Sequence, residues 1–239
     1  MSPLFCIAHR GGPLMYGQPL PENSLAAVNR ALDAGVDALE IDVYQVEGEL
    51  LVTHDRRLGR VVSGQGIITD LPLAYLRAQH LENGEPLPLL RDVLALVGER
   101  AMLNIEIKGP DCVAALKLEL EAFASEQQVG FDHYVLSSFD HQQLHEAMRK
   151  LPQVRRAVLI EGIPLDYAQC CDPLKAYAFN THVSFITPDL LGDAAKRGLK
   201  NWVYTVNHAD DWRWLKSLEV DGVFTDKPDE LLAFNRSFG

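Results

Sequence analysis

Short apolar runs alternate with amphipathic stretches along nearly the whole chain, and this alternation limits the possible folds more than any other feature. Eight runs read as strands: Leu4–His9, Ala38–Tyr44, Met102–Lys108, Tyr134–Phe139, Ala157–Glu161, Ala178–His182, Trp202–Val206 and Gly222–Thr225. Helical segments with recognisable ends lie between them. NSLAAVNRALDAG offers Asn23 or Ser24 as its cap and Gly35 as its stop. TPDLLGDAAKRG offers Thr187 as cap, Pro188 at the first helical position and Gly198 as stop, and DKPDELLAFNRSF reads as a final helix. Eight strands, each followed by a helix, in 239 residues predict an α/β fold, a closed (β/α)₈ TIM barrel. A doubly wound open sheet is the competing arrangement. It is disfavoured by the lack of a glycine-rich phosphate turn of the GxGxxG or GxxxxGKS kind.

The count of eight holds only if Glu49–Thr53 is not a barrel strand but the return arm of a β-hairpin projecting from the second strand. The stretch Arg56 to Pro88, with its glycines, prolines and one amphipathic piece at Leu71–His80, reads as a short insertion above the barrel. A single domain over residues 1–239, with a small insertion at about 55–88, is expected.

Composition narrows the functions. With 47% apolar residues a substantial core is available. The 33 acidic against 22 basic residues, a formal charge of −11, argue against nucleic acid and anionic membrane surfaces. An anionic small substrate stays open, because charges within a pocket can outweigh the net charge. Cys6, Cys112, Cys170 and Cys171 show no CxxC spacing and fit reduced thiols of a cytoplasmic protein. MSPLFCIAHR lacks the basic start, apolar core and small-residue cleavage site of a signal peptide, and no run approaches the ~20 apolar residues of a membrane span. A cytoplasmic location is expected, and the oligomeric state is left open.

The stretch LEIDVYQVEGELLVTHD carries the chemistry. Side chains alternate along a strand, so Leu39, Ile41 and Val43 share one face and Glu40, Asp42 and Tyr44 the other. In MLNIEIK the same pattern turns Asn104, Glu106 and Lys108 inward. Glu40, Asp42 and Glu106 thus converge at the C-terminal mouth of the barrel, where buried acids need neutralising. An all-oxygen set favours one hard divalent cation, Mg²⁺ or Ca²⁺, over zinc. The plainer alternative is that each acid pairs with an Arg or Lys or caps a helix.

A hairpin centred on Gly48 pairs residues whose numbers sum to about 96, which sets His54 opposite Asp42. His9 ends the first strand. Strict alternation turns His9 inward and Arg10 away, unless the turn at Gly11-Gly12 re-aims Arg10. Two imidazoles beside a metal supply an acid and a base near neutral pH. Arg10 and Lys108 suit a phosphoryl group, or else pair with Glu22 and Glu106. His80, His133, His141, His145, His182 and His208 read as ordinary hydrogen-bonded residues.

The ordered series HRGG, PEN followed by Ser24, LEIDV, LVTHD, IEIK, SSFD, YTVN and GVFTDKP, from His9 to Pro228, resembles the glycerophosphodiester phosphodiesterase family. The resemblance implies a (β/α)₈ barrel that cleaves a glycerophosphodiester to an alcohol and glycerol 3-phosphate. It further implies His9 and His54 as general acid and base, and Glu40, Asp42 and Glu106 as ligands of Mg²⁺ or Ca²⁺. Arg10 and Lys108 then contact phosphate, Glu22 supports the site, and the aromatic at Tyr204 lines the glycerol side of the pocket, with Phe139 read as supporting packing at the barrel mouth. Two departures stand out: the spacer Gly12 to Leu20 is longer than is usual in the family, and Tyr204 replaces a common tryptophan. The alternatives are a phospholipase D-like enzyme acting on lysophospholipids, which calls for an exposed apolar rim, a metal-dependent sugar isomerase or aldolase, and a non-catalytic metabolite-binding barrel.

Overall fold

The computed structural model describes residues 2–237; Phe238, at the end of the expected final helix, lies outside them. The strands are β1 (Phe5–Ala8), β2 (Ala38–Val46), β3 (Glu49–Val52), β4 (Arg57–Leu58), β5 (Gly66–Ile67), β6 (Met102–Ile107), β7 (Tyr134–Ser138), β8 (Arg155–Ile160), β9 (Ala178–His182), β10 (Lys200–Tyr204) and β11 (Gly222–Thr225). The helices are α1 (Leu25–Ala34), α2 (Leu73–Arg77), α3 (Leu90–Val97), α4 (Cys112–Gln127), α5 (His141–Lys150), α6 (Pro188–Lys196), α7 (Ala209–Ser217) and α8 (Pro228–Arg236). Parallel pairing runs β1-β11-β10-β9-β8-β7-β6-β2, and a β1–β2 pairing through Ile7↔Ala38 closes the (β/α)₈ barrel. All eight barrel strands coincide with the eight apolar runs.

One expectation needs correction. Between β8 and β9 there is no α-helix but a 3₁₀ segment, Gln169–Leu174. Pro173 inside it removes a backbone donor and limits helical continuation.

The alternation read from the sequence is what builds the barrel. Leu39, Ile41, Val43, Leu103 and Ile105 are fully buried in the layer between strands and helices. On the inner face, Ile7, Ala38, Val135, Ala157, Ala178 and Trp202 form an apolar plug below the polar mouth. Helix ends follow the local chemistry. Ser24, not Asn23, caps α1, its Oγ accepting from the Ala27 N–H at 3.1 Å, and Gly35 stops it at φ +79°. Thr187 caps α6, with Pro188 in its first turn.

β3 returns antiparallel along the far end of β2 as the expected hairpin, outside the barrel count. The segment beyond it carries the β4–β5 ribbon and α2, with Val62, Ile68, Leu76, Leu81 and Leu87 packed on Tyr44 and Leu51 of the hairpin. Tyr44, expected to point inward, therefore serves this cap. The Glu85 carboxylate ties the same segment to the start of α1 by accepting from the Leu25 and Ala26 N–H groups at 3.0 and 3.4 Å. No helix among the described residues is long and apolar enough to cross a membrane.

Candidate active site

A cavity of about 290 Å³ opens at the C-terminal mouth. One side of it carries His9, Arg10, Glu40, His54, Glu106 and Lys108, from β1, β2, the hairpin and β6. The other carries Phe139, Leu159, Glu161, His182, Tyr204 and Phe224, from β7 to β11. Asp42 lies just beneath.

The acids converge as their alternation requires. Glu40, Asp42 and Glu106 are 2%, 1% and 9% exposed, and each offers an oxygen within 4.8 Å of the others. Asp42 and Glu106 face each other in the β2–β6 register. Their partners come from three directions. The Arg10 backbone N–H donates to Glu40 Oε2 at 2.8 Å, and the Asn23 side-chain amide to Asp42 Oδ2 at 2.9 Å. Lys108 Nζ lies 2.9 Å from Glu106 Oε1 and 3.9 Å from Asp42 Oδ1, while Arg10 Nε lies 3.6 Å from Asp42 Oδ2.

These partners do not satisfy the trio. Glu40 Oε1 and Asp42 Oδ1 are buried with no hydrogen bond. Burial, then the charges of Asp42 and Glu106, push Glu40 well above the ordinary carboxylate range. Burial and then Asp42 push Glu106 up to about 7. Oxygens that are dry, crowded and short of donors fit a hard divalent cation, which would remove the mutual repulsion.

His9 and Arg10 both face the cavity. The strand ends at Ala8, and Arg10 itself adopts a left-handed conformation, φ +50°, within a 3₁₀ turn at His9–Gly11. This re-aims its side chain as the glycine turn was expected to do. Gly12 follows at φ +67°, where a Cβ would lie 2.6 Å from Pro228 Cγ, so only glycine fits. The longer spacer beyond it forms a short 3₁₀ turn, Met15–Gly17, packed on α8.

His54 reaches the cavity, but not by the expected register. The β2–β3 ladder pairs Val43 with Val52 and Val46 with Glu49, so the turn is the two-residue Glu47-Gly48, with φ of +51° and +90°. Thr53, not His54, therefore stands opposite Asp42, its N–H donating to the Asp42 carbonyl at 3.0 Å. His54 enters because the chain has left the ladder after Val52.

Each imidazole is held at Nδ1 by a carboxylate. His9 meets Asp226 Oδ1 at 2.7 Å, and His54 meets Asp55 Oδ1 at 3.0 Å. Burial raises the Asp226 carboxyl, but His9 and a 2.7 Å bond from the Asn207 amide outweigh it and hold it low. Burial lowers His54; the cations Arg10 and Lys108 add to this against the opposing pull of Asp42. Arg60 grips Asp55 through Nε at 2.6 Å and Nη2 at 2.9 Å, and also bonds Glu22, which accepts from Arg10 Nη1 at 3.0 Å. One chain of charges thus links His54 to Arg10. Both pairings foreseen for the cations, Arg10–Glu22 and Lys108–Glu106, are present.

Tyr204 and Phe139 meet edge to face with centroids 6.0 Å apart, and the Tyr204 hydroxyl donates to the Ile160 carbonyl at 2.9 Å. His182, expected to be an ordinary loop histidine, is a wall of the cavity, 5.4 Å from the Tyr204 ring. Sequence reasoning also assigned no role to Asp226, Asn207, Arg60 or Glu161. Asp226 and Asn207 stand in GVFTDKP and YTVN at barrel-strand ends, a position that could have flagged them. Arg60 and Glu161 carry no local signal.

Comparison with known proteins agrees with this geometry. Residues 9–230 match the model of the glycerophosphoryl diester phosphodiesterase family. A glycerophosphodiester phosphodiesterase of Caldanaerobacter subterraneus subsp. tengcongensis is 30% identical over 243 residues, covering 98% of both chains. One from Bacillus altitudinis is 32% identical over 240 residues, covering 93% of this chain and 94% of that one. An Oleispira antarctica phosphodiesterase, solved with its product sn-glycerol-3-phosphate, superposes with a TM-score of 0.85 at 26% identity, over 98% of this chain and 96% of that one. The chain belongs to the glycerophosphoryl diester phosphodiesterase family of enzymes.

Proposed function

We propose that the protein hydrolyses glycerophosphodiesters to an alcohol and glycerol 3-phosphate. In this reading a single divalent cation, Mg²⁺ or Ca²⁺, is held by Glu40, Asp42 and Glu106, and His9 and His54 form the acid–base pair. The observation that carries it is a trio of buried acids with undonated oxygens at the same mouth as two carboxylate-held imidazoles. The product bound by the Oleispira antarctica relative supports glycerol 3-phosphate as the retained half.

Arg10 and Lys108, each already beside the acids, turn to the non-bridging phosphoryl oxygens when substrate enters. Glu22 keeps the Arg10 guanidinium aimed at the mouth. One imidazole takes the proton of the attacking hydroxyl, from water or the neighbouring glycerol hydroxyl, and the other gives a proton to the departing alcohol oxygen; in the glycerol-hydroxyl case water then opens the resulting cyclic phosphate to glycerol 3-phosphate. Asp226 and Asp55 fix the ring orientations from behind. Bound to the acid trio, the cation supplies Lewis-acid stabilisation of charge on the phosphoryl group. Phe139 and Tyr204 bound the organic part of the substrate. The acidic composition and four free cysteines favour a cytoplasmic setting with a small-molecule partner.

A second reading, cleavage of lysophospholipids, draws on Ile163 and Leu165, which are 47% and 100% exposed in the loop after β8. One assay separates the two. Purified protein is given glycerophosphocholine, glycerophosphoethanolamine or lysophosphatidylcholine, with Mg²⁺, Ca²⁺ or EDTA. Glycerol 3-phosphate is expected from the water-soluble diesters with a cation and not with EDTA. His9→Ala and His54→Ala should each lose about 10²–10⁴-fold in kcat while keeping the fold, checked by far-UV circular dichroism. Turnover of the lysophospholipid alone, or full activity in EDTA, would overturn the assignment.

A further inference from the structure

Arg60 reaches the mouth from outside the barrel, on the turn at residues 59–65 between β4 and β5. Its side chain is 53% exposed, yet its backbone is fixed. Leu58 before it and Val62 after it are buried in the small core that the insertion builds on the hairpin. The Gly59 N–H donates to the Val62 carbonyl at 2.8 Å, and the Ser63 N–H to the His80 carbonyl at 2.8 Å. From this base the guanidinium makes four hydrogen bonds to two carboxylates: Nε and Nη2 hold the oxygens of Asp55, Nη1 and Nη2 those of Glu22. Each acid backs a different group of the site. Glu22, in the loop before α1, accepts from Arg10 Nη1 at 3.0 Å, and Asp55, beyond the hairpin, meets His54 Nδ1 at 3.0 Å. Glu22, His54 and Asp55 each offer an atom within 4.8 Å of the other two. Carboxylates so close repel each other unless a cation stands between them. Arg60 is that cation. Its hydrogen bonds are the first influence holding the Asp55 carboxyl low, and for Glu22 burial pushes up while Arg60 leads the opposing pull.

We propose that Arg60 is a positioning residue of the reaction, a fork that fixes Glu22 against Asp55 and so sets Arg10 and His54 at one spacing across the mouth. This rests on the diesterase reading above and extends it to the insertion, whose folded core aims the fork. Exposed ion pairs are ordinarily worth little. A planar guanidinium bridging two carboxylates is the exception, because its geometry is fixed and it joins a network. Arg60 is the joint between two pairs, Arg10–Glu22 on one side and Asp55–His54 on the other. A lysine at this position keeps the charge but cannot present paired donors to both acids at once. The group that would bind a phosphoryl oxygen and the group that would move a proton are therefore oriented by one side chain that itself stands back from the reacting atoms.

The test measures kcat/KM on glycerophosphocholine, with a divalent cation present, for Arg60→Ala, Arg60→Lys and Arg57→Ala, the last a control that removes an exposed charge from β4. Arg60→Ala should lose about 10–100-fold, Arg60→Lys should regain less than about threefold of that, and Arg57→Ala should stay within about twofold of wild type. An equal loss in Arg57→Ala, or full rescue by lysine, would reduce Arg60 to a general charge and overturn the proposal. In a Glu22→Gln/Asp55→Asn background, Arg60→Ala should cost no more than about twofold further, and an additive loss there would overturn it as well. Ring-nitrogen NMR of histidine-labelled protein reads the same positioning without turnover. Arg60→Ala should move the His54 signals, assigned by comparison with His54→Ala, and leave those of His9, which Asp226 holds, in place. Displaced His54 signals alone support the proposal even if the wild type cleaves no diester. No shift of either ring, or a shift of both, counts against it; Arg60→Gln serves as the second variant if alanine loosens the insertion by circular dichroism.

Discussion

Kept free of divalent cations, the protein should become less stable as pH rises from 5 to 7, the reverse of ordinary acid denaturation. Glu106 is held at about 7, against an ordinary 4.5, first by burial and then by Asp42. A carboxyl that titrates higher in the folded chain binds more protons there than in the unfolded chain between those two values. Its contribution is therefore most favourable below 4.5 and is lost as pH climbs through about 7. A gap of about 2.5 pH units, at about 1.36 kcal/mol per pH unit, makes the loss about 3 kcal/mol, most of it between pH 5 and 7. Glu40, raised by burial and by the same neighbours, acts in the same direction. His54, held low by burial, acts oppositely: its contribution is lost as pH falls below its ordinary 6.5. Glu22, Asp55 and Asp226 are held below their ordinary values, so their losses set in only as pH falls below about 5. The assay is urea denaturation in EDTA at half-unit steps of pH, for wild type and Glu106→Gln. Subtracting the two curves reports Glu106 together with its coupling to Glu40, and saturating Mg²⁺ or Ca²⁺ should abolish the slope, because the ion takes the place of the proton. Parallel wild-type and variant curves between pH 5 and 7 would refute the electrostatic account of the acid trio.

Three further outcomes follow from the geometry. Asn23→Ala removes the 2.9 Å bond to buried Asp42 at a backbone position with φ +61°, and should lower stability by about 2–4 kcal/mol in the same urea assay. Gly12→Ala adds a methyl group against the Pro228 ring at positive φ, and should cost at least about 1–3 kcal/mol, with α8 the first element to lose amide-exchange protection. Asp226→Asn leaves His9 without its anionic partner at 2.7 Å, and should reduce kcat by about 10–100-fold with KM nearly unchanged; a change confined to KM would remove it from the orientation of His9.

Much of this architecture was legible because strand alternation is local. Leu39, Ile41 and Val43 could face only one way, which forced Glu40 and Asp42 together on the inner wall, and Asn104 and Glu106 followed by the same rule. The hairpin register was not legible. Whether Glu47 joins Gly48 at positive φ decides between two pairings, and the letters EGE do not state that choice. The missing helix between β8 and β9 could have been read from Pro164 and Pro173, which interrupt the amphipathic pattern. Arg60 and Glu161 depend on loop paths across the mouth, set by packing rather than by any short motif. His182 was passed over because a strand-end histidine announces its surroundings only once the ring of strands has closed.

Because β1, β2 and β6 are contiguous, the groups proposed to act in bond cleavage hang from a single arc of the ring, with Asp226 past the adjoining β11 holding His9 from behind, while β7, β8 and β9 contribute walls of the cavity. Exchanging the segments after β8 and β9 for those of a relative should therefore retune the repertoire of accepted diesters without disturbing the hydrolytic apparatus. The barrel offers natural joints for such grafts.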